Sequence, residues 1–194
     1  MTMHWLNITK IIDVTEAEGP GLRTAIWTQG CLKRCRGCCN ADFLKIKPAT
    51  IYEPLEIIKR IRDNKENYGI EGITLLGGEP FLQAYSLSIV AEECQKMELS
   101  VMVFSGYLLS ELIESKFKGS TQLLKYSDVL VDGEFDITQI EEERNWVGSR
   151  NQRFIYLTSR YSNEIETRTL EVTNEWRINS DGYIVVNGLP SKIC

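Results

Sequence analysis

The sequence predicts an α/β fold built on a mostly parallel sheet, too short to close into a full barrel and finished by a small C-terminal hairpin. Three observations carry that expectation. Apolar strand-like runs alternate with amphipathic helical runs, the pattern that gives parallel sheets through helical crossovers. The chain has 194 residues, whereas eight complete strand–helix units need about 250. The turn residues Asn179-Ser180-Asp181-Gly182 separate Trp176 from the apolar run Tyr183 to Val186, as a hairpin requires. No internal repeat, low-complexity stretch or linker interrupts the chain. Residues 1–194 therefore read as one domain, with a core over about 18–157 and an extension over 158–194.

Each element follows from local pattern. Leu22 to Gln29 is a buried strand running into a cysteine loop. Glu53-Pro54 opens a helix to Asn64, with Leu55, Ile57, Ile58 and Ile61 on its apolar face and proline tolerated in the first turn. Gly72 to Leu76 is a strand ending in Gly77-Gly78, and Gln83 to Met97 a helix. Ser100 to Phe104 is a strand ending at Ser105-Gly106, Leu108 to Phe117 a helix, and Asp128 to Val131 a strand ending at Asp132-Gly133. Phe154 to Thr158 is a further strand. Parallel sheets bind ligands beyond the carboxyl ends of their strands. Three strands ending in polar residues, plus the cysteine loop after the first strand, therefore imply one site at one sheet edge.

Composition excludes several classes. Hydrophobic content of 43% and charged content of 25% are ordinary for a globular protein. No apolar run approaches the roughly 20 residues that span a bilayer. Net charge is −5 with no long basic run, which argues against a nucleic-acid partner. The start Met1-Thr2-Met3-His4-Trp5 lacks the apolar core of a secretion signal. A cytoplasmic protein without a membrane partner is expected.

The chemistry resides in Cys31, Cys35 and Cys38, spaced C-x3-C-x2-C. A four-iron cluster normally takes four thiolates; three on one loop leave an iron open to bind a reactant. Structural zinc is a second reading, but it wants four ligands in two pairs, and the only histidine, His4, is remote. Plain structural cysteines are a third. Lys33, Arg34 and Arg36 lie inside the loop, either as a solvated face or to offset cluster charge and dock an acidic electron donor. About 40 residues on, Gly77-Gly78-Glu79-Pro80 follows a strand. Two glycines let backbone N–H and C=O groups approach a ligand closely, and Pro80 stiffens the exit.

Together these two signals resemble the radical S-adenosylmethionine (SAM) superfamily. Glu18-Gly19-Pro20-Gly21-Leu22-Arg23 and Gln29-Gly30-Cys31 resemble the lead-in to the cluster in enzymes that activate glycyl radical enzymes. So does Cys38-x-Asn40, although Cys39 stands where tyrosine or histidine is more usual. Phe104-Ser105-Gly106-Tyr107, the run Asp128 to Phe135, and Trp146-x-Gly148 to Arg153 resemble the members of that group acting on anaerobic ribonucleotide reductase. The resemblance implies an incomplete radical-SAM-type β/α barrel. It implies a [4Fe–4S] cluster on Cys31, Cys35 and Cys38, and SAM held by Gly37, Cys39, Gly77, Gly78, Glu79, Pro80, Ser105 and Asp132. It further implies reductive cleavage of SAM to a 5′-deoxyadenosyl radical, a glycyl radical enzyme as protein partner, and a flavodoxin- or ferredoxin-type electron donor.

Two other functions fit part of the pattern. A radical SAM enzyme could modify a peptide or a small molecule such as a deazapurine precursor, and an iron–sulfur electron carrier would not catalyse at all. Individual residues also carry two readings each. Asp132 either contacts SAM or a nearby cation, or caps a solvated turn. Ser105 either meets ribose hydroxyls or is structural. Cys39 faces SAM, packs, or is a reactive thiol. Arg23 is an ion-pair partner or a contact to a substrate loop, and Trp146 packs or meets a partner. Cys94, in a helix beside Val90, Ala91 and Met97, reads as a core cysteine, Cys194 as a frayed tail and His4 as exposed.

Overall fold

The computed structural model describes residues 5–167, 174–178 and 180–188; His4, Asn179 and Cys194 lie outside them. Among the described residues, seven strands form one sheet and two form a hairpin. The strands are β1 (Leu6–Thr15), β2 (Arg23–Thr28), β3 (Thr50–Tyr52), β4 (Gly72–Gly77), β5 (Ser100–Phe104), β6 (Val129–Asp132) and β7 (Arg153–Tyr156). The hairpin pairs β8 (Asn174–Ile178) with β9 (Ile184–Gly188). The helices are α1 (Pro54–Tyr68), α2 (Ala84–Lys96), α3 (Leu109–Glu114) and α4 (Ser120–Lys125).

The sheet order is β3-β1-β2-β4-β5-β6-β7. The four central strands, β2, β4, β5 and β6, are mutually parallel. β1, β3 and β7 pair antiparallel at the flanks, so the expected parallel sheet forms the centre and antiparallel strands are added at its edges. β1 and β3 are additions to the expected elements. The sequence carries a signal for β1: Ile8, Thr9, Ile11, Ile12, Val14 and Thr15 are β-branched residues that suit a pleated surface.

α1 begins where Glu56 accepts the Glu53 N–H at 2.7 Å, with Pro54 in the first turn. It runs one turn beyond the expected end and stops at Gly69, whose φ of +67° only glycine adopts cheaply. The helix expected over 108–117 is the shorter α3, which ends at Glu114, and α4 beyond it was not expected. α3 stops where Ser115 turns extended, and Gly119 then starts α4: its φ is +87° and a Cβ there would be 2.3 Å from Tyr85 Cα in α2.

The helices lie on one face of the sheet. Their core joins Leu6, Ile8, Ile26, Ile73, Leu75, Val101, Val103 and Leu130 of the strands to Ile57, Ile61, Leu87, Val90, Cys94, Leu112 and Leu123 of the helices. Each such buried aliphatic contributes roughly 1.5–3 kcal/mol. Cys94 is fully buried there, and burial pushes its thiol up. The opposite face carries two smaller apolar groups: Ile12, Ala25, Trp27 and Leu76, and Met102, Val129, Val131 and Val147. Most apolar burial is thus on the helix side, which leaves the other face available for a site.

The hairpin docks beside that second face through polar bonds. Asn187 Nδ2 donates to Thr15 Oγ1 at 2.9 Å, Gly188 N–H to Glu18 at 2.7 Å, and Glu16 N–H to Glu175 at 2.8 Å. Trp176, Ile178, Ile184 and Val186 point away and are exposed.

Candidate iron–sulfur site

Because β2, β4, β5 and β6 are parallel, their carboxyl ends share one edge. β2 delivers Gly30 and the cysteine loop, β4 delivers Gly77 to Pro80, β5 Ser105-Gly106, and β6 Asp132-Gly133. These are the four segments whose convergence the sequence implied.

The cysteine loop is pinned at its base by Gly30 N–H to Phe43 O (2.7 Å) and Cys31 N–H to Leu44 O (3.0 Å). Cys31 is buried, Cys35 and Cys38 are half-buried, and Cys39 is exposed. Burial pushes the Cys31 and Cys35 thiols up, and each of these two also feels the charge of Cys38. A hydrogen bond from Cys39 favours the Cys38 thiolate, lowering its pKa to about 6 and raising that of Cys39. Among the described residues no three His, Cys, Asp or Glu side chains converge on a single ion-binding point. What Cys31, Cys35 and Cys38 share is one short loop and each other's field.

The Gly77-Gly78 pair has a reason that the sequence does not display. Gly78 N–H donates to Thr28 O and Glu79 N–H to Gly30 O, both at 2.8 Å. A Cβ on Gly78 would sit 2.3 Å from Gly30 O, and one on Gly77, whose φ is +107°, 2.6 Å from Thr28 N. The glycines let the end of β4 press on the strand end that carries Cys31. The N–H groups of Gly78 and Glu79 are therefore taken by Thr28 and Gly30, because the parallel pairing continues past the strand end.

Glu79 is fully buried. Its carboxylate accepts from Phe81 N–H (3.0 Å), Ser105 Oγ (3.0 Å) and Gly106 N–H (2.9 Å), tying β4 to β5. Burial outweighs these bonds and raises its pKa to about 7. Pro80 is buried and opens a short 3₁₀ turn ahead of α2. Asp132, also fully buried, accepts from Leu109 N–H at 2.7 Å and from Arg153 at 2.9 and 2.6 Å. It thus joins β6 to β7 and to the start of α3. Ser105 Oγ also accepts from Tyr107 N–H at 3.0 Å. Arg23 lies at the opposite end of the strands, fully buried, and bonds Thr74 Oγ1, Ile73 O and Pro20 O.

The loop after β6 lies over the cysteine loop. Gly37, with φ +76°, has Ile137 Cδ1 2.7 Å from where a Cβ would stand. Phe135 N–H bonds Cys35, and Glu134 Oε2 is 3.9 Å from Cys35 Sγ. Residues 146–153 buttress this loop: Asn151 Nδ2 donates to Glu134 O, Gln152 accepts the Gly148 and Ser149 N–H groups, and Ser149 Oγ accepts Asp136 N–H. Trp146 packs against the cluster of Met102, Val129, Val131 and Val147. From the cysteine loop, Lys33 reaches Glu134 (3.0 Å) and Glu111 (3.4 Å) and lies 4.2 Å over the Tyr107 ring. Arg34 and Arg36 are exposed. Sequence reasoning gave Glu134 no role; only the fold brings it to Cys35.

Residues 17–155 match the sequence profile of the 4Fe-4S single cluster domain. That stretch contains the cysteine loop and every strand end described above. The chain belongs to this family. The family's single cluster accounts for three thiols collected on one loop, and Cys31, Cys35 and Cys38 are the side chains that could hold it. A relative from Vibrio cholerae, named anaerobic ribonucleoside-triphosphate reductase-activating protein, is 31% identical over 153 residues, 76% of this chain and 96% of its own length. Relatives of the same name come from Pasteurella multocida (30% identical, 80% of this chain, 100% of the relative) and Enterobacteria phage T4 (25%, 76% and 92%). QueE from Escherichia coli, a solved structure, aligns at a TM-score of 0.44 and 14% identity over 66% of this chain and 71% of its own, too slight a likeness to bear on the fold. The family match ends at β7, so the β8–β9 hairpin lies beyond it.

Proposed function

We propose that the chain is a radical SAM activating enzyme that generates a glycyl radical on an anaerobic ribonucleotide reductase. The observation that carries this reading is the three-thiol loop. Among the described residues the other cysteines are Cys39, next in the chain, and Cys94, inside the helix core. Cys31, Cys35 and Cys38 would then hold three irons and leave the fourth open. The relatives' name supplies the partner.

A bound [4Fe–4S] cluster with SAM supplies one-electron cleavage of the sulfonium to a 5′-deoxyadenosyl radical. The chain's own residues shape the chamber. On this reading Gly37 and Cys39 of the cysteine loop, Gly77 to Pro80 after β4, Ser105 after β5 and Asp132 at the end of β6 would be the residues around SAM. Glu79 and Asp132 tie neighbouring strand ends together through the bonds above, which would hold these residues in register for SAM. Arg34 and Arg36 offer the charge that an acidic flavodoxin- or ferredoxin-type donor would meet in the cytoplasm. No described helix is long and apolar enough to cross a membrane. With all crossover helices on one face, the parallel strands form an arc of an incomplete barrel within one domain. A small substrate needs enclosure to exclude water, whereas an open side admits a loop of a second protein.

The test mixes reduced, reconstituted protein with SAM and the reductase. A doublet glycyl signal in electron paramagnetic resonance is expected, and it should vanish when the reductase glycine is replaced by alanine. Formation of 5′-deoxyadenosine with consumption of a peptide or nucleobase precursor, and no glycyl radical, would overturn the reading.

A further inference from the structure

We infer that Lys33 and Glu134 form a charge-compensating pair that sets the reduction potential of the cluster through Cys35. The inference rests on Cys35 being a cluster ligand, as proposed above. Glu134 Oε2 is 3.9 Å from Cys35 Sγ, close enough for the thiol proton to point at the carboxylate. When Cys35 binds iron that proton leaves, and two anions face each other at this distance. The other oxygen of the same carboxylate, Oε1, is 3.0 Å from Lys33 Nζ. Lys33 therefore offsets the carboxylate that faces that thiolate.

The geometry holds Lys33 in place. Its stem runs along Gly106, where a Cβ would come within 3.1 Å of Lys33 Cγ. Its ammonium lies 4.2 Å over the Tyr107 ring, and Glu111 takes a second contact at 3.4 Å. The Lys33 side chain is 16% exposed and that of Glu134 49%, so the lysine is sheltered while water still reaches the carboxylate. Glu134 is held in turn by Asn151, which donates to its main-chain oxygen at 2.7 Å. Lys33 and Glu134 are positioning residues: both act on the cluster through Cys35.

Reduction adds one electron, from an external low-potential donor, and so one negative charge. An unscreened carboxylate beside the thiolate opposes that charge, and an uncompensated ammonium favours it. The two single removals must therefore shift the potential in opposite directions, which a general loosening of the loop would not do. The test is a potentiometric titration, followed by electron paramagnetic resonance, of anaerobically reconstituted protein without SAM. Lys33→Met should move the midpoint to more negative potential and Glu134→Gln to less negative potential. The double variant should return towards wild type. Lys33→Arg should stay close to wild type, and Lys59→Met, on the far surface of α1, should not move it. Single variants that retain iron but shift together, or not at all, overturn the inference. If Lys33→Met fails to hold iron, Glu134→Gln carries the decision alone, and an unchanged midpoint there overturns it. Full iron retention in Cys35→Ser would instead sink the ligand assignment, a separate result.

Discussion

Gly78 lacks a side chain because Gly30 O occupies the place where one would go. The tetrapeptide Gly77 to Pro80 is visible as a motif in the sequence, but its steric reason is not, since the obstructing backbone comes 48 residues earlier. Replacing Gly78 by alanine should cost about 1–3 kcal/mol of stability, as overpacking does, and should lower the iron bound per chain by prising β4 from the strand end that carries Cys31. Gly69→Ala is the contrast. Nothing lies within 4 Å of its Cβ position, so only the left-handed backbone is penalised, by roughly 1–2 kcal/mol, and iron should be unaffected. Denaturant midpoints and anaerobic iron analysis decide; a Gly78→Ala protein with full iron and native stability would refute the role given to that contact. Arg23 teaches the converse. Its chemistry was plain in the sequence, but whether it served the site was open, and the register Arg23 to Gly72 places it at the far end of the strands.

At the scale of elements, the central strands and the two long helices were legible because each has a clean period and glycine or proline punctuation. β1 was overlooked, although its β-branched run is strong. The start of α4 was illegible, because it depends on Gly119 meeting Tyr85 of another helix. The hairpin was legible from its turn, yet its orientation was not: alternation alone does not say that its polar face, with Arg177 and Asn187, turns inward. That attachment is polar and sits outside the 17–155 family match. Ending the chain after Thr167 should therefore leave the sheet and the iron content intact, with a modest fall in melting temperature from exposing Thr15 and Glu18. Loss of cluster binding in the truncated protein would mean that the hairpin is part of the site's frame.

Across the whole molecule, the site draws on four strand ends while the bulk of the apolar core lies on the other side of the sheet. Site and stability should accordingly separate. Serine at Cys31, Cys35 or Cys38 should abolish iron binding, since an alcohol is a poor ligand beside thiolates, and should leave the melting temperature of the iron-free protein nearly unchanged. Alanine at Cys94 should do the reverse, lowering that temperature through a core cavity while iron stays bound. Equal iron loss at Cys94 and Cys35 would contradict the assignment. The cysteine set was legible because its three members are neighbours in sequence; the convergence of Glu79, Ser105 and Asp132 at one edge was only implied, since it depends on the parallel register, and the approach of Glu134 to Cys35 was not foreseen. The plug around Arg23 has a further consequence. Arg23, Thr74, Ser100 and Tyr161 bond to one another and fill the end of the strands away from the cysteines, so on the proposed reading a reagent would reach the site from the cysteine end, its mouth. For the activity proposed, a large partner seated on that mouth is a cork. The small reagent must be inside before the cork goes in, and its fragments stay until the cork comes out, so each docking event admits one charge of reagent.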